Sequence, residues 1–412
     1  MLMRTQGMWG AVFATFVFVV LGYWASRRKI FTPEINKKLA QFTMMFLLPM
    51  LTFTSFMVNT KAESLIEIGV VLGLSAVFYL ACAGLSSLIV NYYPRLIPRF
   101  ITRKAEALYA QLAAANKEED FSKYRAAYVR SYQAKLSTAM MMLSYGSVQL
   151  FATPLVIGMQ GSIFAEDGFA LALLQIWNIP FLIGVTSYMR IQYTGEKFTR
   201  KSVKSLFKQI FSPIFIGALL SLFVWSLQWI PGLDTWFVSS EGGLPYSKVI
   251  TEVEAATNPK AFQFWGGFLS EVSALGTTLT TGVKIVSPIS WLLIGGSLAH
   301  TSLRETIRDK SVWFASFHKL VTVPFVMFLL VILLLLPTID SHGTKLITTS
   351  TGVLIVLISA TPPATGCVTY AVAFNHPHAK FTSQVSSLST LLAVITMPLW
   401  IIISKLTFDA VV

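Results

Sequence analysis

The sequence predicts an all-α polytopic membrane protein, with ten transmembrane helices in two inverted five-helix repeats and with helices four and nine broken and crossed. Three observations carry this. The 412 residues are 54% apolar and only 12% charged, with a mean hydropathy of +0.64. That is about half the charge of an ordinary soluble domain, so a water-soluble enzyme is excluded as the default. The basic residues alternate between loops, and interior prolines recur at matching places in two halves.

A spanning helix needs about 20 mostly apolar residues. The runs 8–26, 39–57, 66–90, 136–159, 169–189, 207–229, 268–299, 312–336, 346–375 and 381–406 meet that need. They are long and continuous, unlike the short alternating strands of a membrane barrel. The first run has only Arg4 before it and Arg27, Arg28 and Lys29 after it. That bias predicts a retained span with an outer amino terminus rather than a cleaved signal.

The net charge of +13 does not form a basic stripe, so nucleic acid is not an expected partner. Most bases fall in one set of loops: Arg27–Lys38, Arg95–Lys135, Arg190–Lys208, the group Arg304, Arg308, Lys310 and Lys319, and Lys380. The positive-inside bias puts this set in the cytoplasm and both termini outside, in the cytoplasmic membrane. Run 268–299 is long for one span. Two spans there would send the Arg304–Lys319 group outside, so one long, broken segment is expected.

Residues 1–189 then form the first repeat, 190–206 a cytoplasmic linker and 207–412 the second repeat. The polar stretch 99–135 reads as a cytoplasmic helical insertion, and 233–261 as an outer loop. Cys82 and Cys367 each lie inside an apolar run, which speaks against a disulfide framework.

Proline removes a backbone donor and frees a carbonyl. In lipid such a break survives where it lines protein or a watery cavity. Pro49, Pro154, Pro288 and the pair Pro362–Pro363 interrupt the second, fourth, seventh and ninth runs. Second and fourth in each block of five is the pattern of an inverted repeat. Pro49 and Pro154 are 105 residues apart, against 74 for Pro288 and Pro362, and the 99–135 insertion nearly accounts for the excess.

Crossed breaks expose half-helix ends. Amino ends attract anions, and carbonyl ends can hold a cation. The candidate substrate-binding residues are Ser144, Ser147, Gln149, Thr153 and Pro154 from one break. From the other come Thr361, Pro362, Pro363, Thr365 and Thr369. Such residues also serve to satisfy kinked backbones and pack helices. Lys284, four residues before Pro288, and Glu271 are the ionisable groups read as lying within a span. Lys284 is the candidate partner for a substrate carboxylate, or else a snorkelling side chain. Glu271 reads as interfacial, or else as a proton carrier. No metal site, cofactor or phosphate-cradling loop is legible.

The segments SATPPATGCVTYAVAFN and SSLSTLLAVITMPLW resemble the last two helices of the auxin efflux carrier family, whose bacterial members include malate permeases. GSVQLFATPLVIGMQGSIFAEDGFALALLQIWNIPF, which contains Gln175, resembles its fourth and fifth helices, and LPMLTFTSF and SPISWLLIGGSLA its second and seventh. The resemblance implies a scaffold and a transport domain, helices crossed at Thr153–Pro154 and Pro362–Pro363, elevator-like alternation and organic anions as substrates. The architecture is similar to that of bile-acid symporters and sodium–proton antiporters. The short loop after the fifth helix is similar to the bacterial branch. Ser144 and Ser147 stand where the family often has asparagine, and Lys284 has no assignable counterpart.

The expectation is therefore a secondary transporter of a malate-like carboxylate, not an enzyme, with a homodimer in keeping with such designs. A sodium- or proton-coupled symporter or antiporter on the same fold is the alternative. A membrane-embedded receptor or enzyme is the remote one.

Overall fold

The computed structural model describes residues 6–58, 60, 64–92, 99–114, 121–165, 168–194, 213–230, 237–239, 248–250, 261–263, 273–299, 303–336 and 346–411. Glu271, His300 and His342 lie outside the described residues.

The first half begins with α1 (Gln6–Arg27). It is followed by α2 (Pro33–Phe42), a π-helical turn at Thr43–Leu47, and α3 (Leu48–Ser55). Pro49 therefore does not break its helix. The π-turn just before it absorbs the missing donor, and the rod continues. Next come α4 (Ser64–Tyr92), α5 (Arg99–Ala114) and α6 (Phe121–Ser144). The insertion is a helical hairpin, with Tyr109 ringed by Phe121 and Tyr124 at 4.8 and 5.7 Å. Its second arm runs on into the fourth apolar run.

After α6 the chain leaves helical geometry at Tyr145–Ser147. It resumes in a π-turn, Val148–Ala152, and α7 (Thr153–Gly158). The fifth run is α8 (Phe169–Gly184), a π-turn at Val185–Met189 and α9 (Arg190–Thr194).

The second half holds α10 (Pro213–Ser226), then strands β1 (Phe237–Ser239), β2 (Lys248–Ile250) and β3 (Ala261–Gln263). These three form a small antiparallel sheet in the order β2-β1-β3. α11 (Ser273–Ala299) follows. It is one continuous helix with Pro288 inside it, so the break expected there is absent. A single interior proline leaves one carbonyl unpaired, which a helix this long can carry as a bend.

α12 (Leu303–Arg308) is short. α13 (Lys310–Phe317), a π-turn at His318–Thr322 and α14 (Val323–Leu335) make one apolar rod. α15 (Thr349–Ser359) and α16 (Thr365–Ala373) are separated by the proline pair, and α17 (Ala379–Val411) ends the described chain.

Among the described residues, five helical stretches are long and apolar enough to cross a membrane: Ser64–Leu88, Phe169–Thr194, Ala274–Ala299, Lys310–Leu335 and Ala379–Val411. Shorter apolar helices cover Phe13–Arg27, Val148–Gly158, Phe215–Trp229 and Thr349–Ser359. Apart from the small sheet, the described elements are helical, and the chain is an all-α polytopic membrane protein.

The helices pack in two groups. α1, α2–α3, α10 and α11 lie on one another. Gly22 and Gly295 let α1 and α11 touch backbone to backbone, since a Cβ on either would overlap the carbonyl of Leu292 or Val19. In a bilayer such close approach replaces the hydrophobic drive that lipid removes. The second group joins α4, α6–α7, α8, α13–α14, α15–α16 and α17. Its centre is α15, where Val353 to Ile358 are all buried.

Candidate functional site

The two breaks cross inside the second group. Ser147 N–H donates to the Pro362 carbonyl at 2.7 Å, and Ala364 N–H donates to the Tyr145 carbonyl at 2.8 Å. Gly146 and Pro363 thus pair as one antiparallel β-bridge between helix ends. Each such hydrogen bond contributes roughly 1 kcal/mol net, and more is lost if a buried group is left unpaired. The crossing therefore lies at Gly146 and Pro363. Pro154 is not part of it: it lies further along, inside the rod made by the π-turn and α7, and as at Pro49 the π-turn just before it absorbs the missing donor.

Aromatic rings hold the bridge in place. Tyr145 stacks on Tyr79 at 5.4 Å and meets Phe181 at 5.9 Å, and Trp177 Nε1 donates to the Tyr79 hydroxyl at 3.3 Å. Helices α4 and α8 thereby clamp the break from one side.

The predicted residues divide into three sets. Ser144, Ser147, Gln149, Thr153 and Thr361 are buried, and so are Pro154 and Pro362. Ser144 Oγ turns back to Met140 O at 2.8 Å and Thr361 Oγ1 to Ile358 O at 2.7 Å. Gln149 Nε2 donates to Gln175 Oε1 at 2.8 Å, and Thr52 and Thr153 complete that cluster with longer bonds of 3.4 Å. These side chains satisfy each other and the bent backbone. Pro363, Thr365 and Thr369 line a cavity instead. Lys284 is exposed on α11 and does not line it.

The cavity has a volume of about 220 Å³ and lies between the two helix groups. One wall is Asn36, Thr43 and Ser297. The other is Thr365, Thr369 and a stripe on α17 made by Ser383, Ser386, Ser387 and Thr390. Leu150 and Phe151 supply an apolar floor. Among the described residues no charged side chain lines it. The amino end of α16 begins at Thr365 without a side-chain cap, and the Cys367 amide turns back to the Ala364 carbonyl, so the Thr365 and Gly366 amides and the dipole are what this end offers an anion. Asn36 Oδ1 is buried and has no hydrogen-bond partner among the described residues. Gly296 leaves room for the Asn36 side chain: a Cβ on Gly296 would collide with the Asn36 amide.

The α17 stripe was visible in the sequence. Serines and threonines at 383, 386, 387 and 390 repeat at helical spacing on one face. Lys319 differs from its place in the loop-charge pattern. The pattern puts it with the loop bases that fix orientation, but it sits in the π-turn of the α13–α14 rod and is 1% exposed. Its Nζ donates to the Leu143 carbonyl at 3.1 Å, at the end of α6. A Cβ on Gly146 would lie 3.3 Å from that nitrogen.

Outside the spans, two histidines follow α16. His378 Nε2 lies 2.7 Å from the Ser131 carbonyl, and the His376 ring packs edge-on to Tyr193 at 5.4 Å. Burial pushes both below the ordinary histidine value. Repulsion from His378 adds to this at His376, and Lys135 adds to it at His378, against a raising hydrogen bond to Ser131. Burial would raise the Asp309 carboxyl, but the Ser311 hydroxyl and amide and nearby Lys135 hold it below its usual value.

The sequence model of a family described as membrane transport protein matches residues 8–102 and 259–401. No curated protein matches the chain.

Proposed function

The chain belongs to the auxin efflux carrier family of membrane transport proteins, and from that premise we propose that it is a secondary transporter of a small organic anion, such as a malate-like carboxylate. One observation carries the reading. The uncapped amino end of α16 opens into a hydroxyl-lined cavity at the seam between two helix groups. A helix amino end offers roughly half a positive charge and free amides. Neutral hydroxyls around it, such as those of Thr365, Ser383, Ser386 and Thr390, can bind carboxylate oxygens without holding them too tightly to leave. Those of Thr43, Ser297 and Thr369 turn back to carbonyls of their own helices.

The seam supports elevator-type alternating access. The group containing the crossing would slide against the group of α1, α2–α3, α10 and α11, carrying the anion with it. The wall residues Asn36 and Ser297 lie toward the ends of α2 and α11 that adjoin the basic loops. On the positive-inside reading that is the cytoplasmic side, so this conformation would be inward-facing. Residues Phe151, Leu155, Trp291 and Met397, around a much smaller void of about 20 Å³, would form the closed outer side. The two inverted repeats, 1–189 and 207–412, with both termini outside, belong to the same proposal.

The test is uptake of radiolabelled malate and other small carboxylates into proteoliposomes. Saturable uptake that unlabelled malate competes away supports the reading. A protein that moves no carboxylate, or that converts one chemically, overturns it. Lys284→Ala in the same assay decides whether that exposed lysine takes part: unchanged uptake removes it from the site.

A further inference from the structure

The crossing contains two helix carbonyl ends, and they are closed differently. At the end of α15, Thr361 Oγ1 donates to Ile358 O and Ser359 Oγ to Val356 O, each at 2.7 Å. Neutral hydroxyls from the same turn suffice there. At the end of α6 the Leu143 carbonyl receives Lys319 Nζ at 3.1 Å. That ammonium comes from a different helix, and its residue is 1% exposed.

A buried cation in a membrane span ordinarily needs a carboxylate. The ion pairs among the described residues are Lys380–Glu305 and Lys405–Asp409, and neither involves Lys319. What faces the ammonium is dipolar: the negative end of α6, a helix of 24 residues, and the Thr361 hydroxyl across Gly146. Carbonyl ends of broken helices are where carriers of this general design coordinate a coupling cation. Here a side chain already fills that position.

We propose that Lys319 Nζ is a built-in cation that holds the place of a coupling metal ion at the crossing, so that the transport cycle runs without sodium or potassium. This rests on the transport reading above. The ammonium compensates the dipole end, and the amino ends of the crossing remain free to attract the anion.

The experiment measures melting temperature of the purified full-length protein in sodium, potassium and choline chloride at equal ionic strength. The wild type should melt at the same temperature in all three. Lys319→Ala removes the ammonium and leaves room for an ion. It should melt lower in choline and regain about 2–4 °C in sodium or potassium. Lys319→Met fills the space without charge, so it should melt lower and remain indifferent to the cation. Three results overturn the proposal: a wild type stabilised by sodium or potassium over choline, a folded Lys319→Ala that is indifferent to all three, or variants that fold in none of them. Malate uptake in the same salts separates the two readings. A wild type that moves no malate, while Lys319→Ala gains the cation shift, sinks the transport reading and leaves the built-in cation at its site.

Discussion

A Cβ on Gly146 would overlap the hydroxyl oxygen of Thr361, so the two broken helices touch where one of them has no side chain. Gly146→Ala should therefore push the bridge apart. Overpacking of this kind costs roughly 1–3 kcal/mol, and the loss falls on the Ser147–Pro362 and Tyr145–Ala364 bonds. Thermal unfolding checks it. Combining Gly146→Ala with Thr361→Ala removes the colliding oxygen, since the Thr361 Cβ lies at a permissible 3.5 Å. The double variant should be more stable than Gly146→Ala alone, a coupling that additive effects would not give.

Part of this site was legible in the sequence. Pro362–Pro363 marked the ninth-run break correctly, because two consecutive residues without donors cannot continue a helix. The fourth-run break was placed at Pro154 and lies instead at Tyr145–Ser147. A proline that follows a π-turn is carried within a continuing helix, whereas Gly146 is needed by a partner 217 positions further along, Pro363. Only tertiary contact reveals that need. Lys319 was missed for a related reason. Counting bases by loop assumes that a charge marks an edge, but the dipole end of α6 makes an interior position tolerable. Pro288 was misread as a break because one unpaired carbonyl bends a helix without ending it.

Gln149 and Gln175 form a buried amide pair, and Thr52 from the other helix group reaches it at 3.4 Å. Replacing Gln175 with Leu strands the Gln149 amide. That should cost about 1–3 kcal/mol and show as a lower melting temperature. Thr52→Val removes only the long bond across the seam. Stability should change little. If the two groups slide past one another during transport, malate uptake should change more than melting does.

The serine and threonine stripe on α17 gives a direct test of the cavity. Ser386→Leu at a half-buried position and Thr390→Val at a buried one replace hydroxyls with apolar groups on the cavity wall. Melting should hold. A lost hydrogen bond to a carboxylate of about 1.4 kcal/mol corresponds to a tenfold weaker affinity, so apparent affinity for malate should fall by roughly that factor in each.

Glu67 accepts from both the amide and the hydroxyl of Thr348 at 2.8 Å, closing the amino end of α15. The carboxylate also suits that end of the helix dipole. Glu67→Ala should destabilise by about 1–2 kcal/mol, the scale of a lost helix cap. Glu67→Gln keeps an acceptor and should recover part of the loss. Because α15 is the centre of the helix group that contains the crossing, the variant should also speed amide exchange around Val353–Ile358.

His376 and His378 set the last expectation, which concerns pH. Both are held below the ordinary value of 6.5 by burial. The unfolded chain therefore binds protons that the folded one does not. Where the unfolded state binds more, stability rises with pH. The stabilising contribution is present above about pH 6.5 and is lost as the pH falls through that value toward the folded-state values. Melting temperature should drop between about pH 7.5 and about pH 5.5. In a His376→Asn, His378→Asn double variant that drop should shrink. An unchanged acid slope would mean that other groups carry it, with Asp309 acting at still lower pH, where its carboxylate begins to protonate and its bonds to Ser311 weaken.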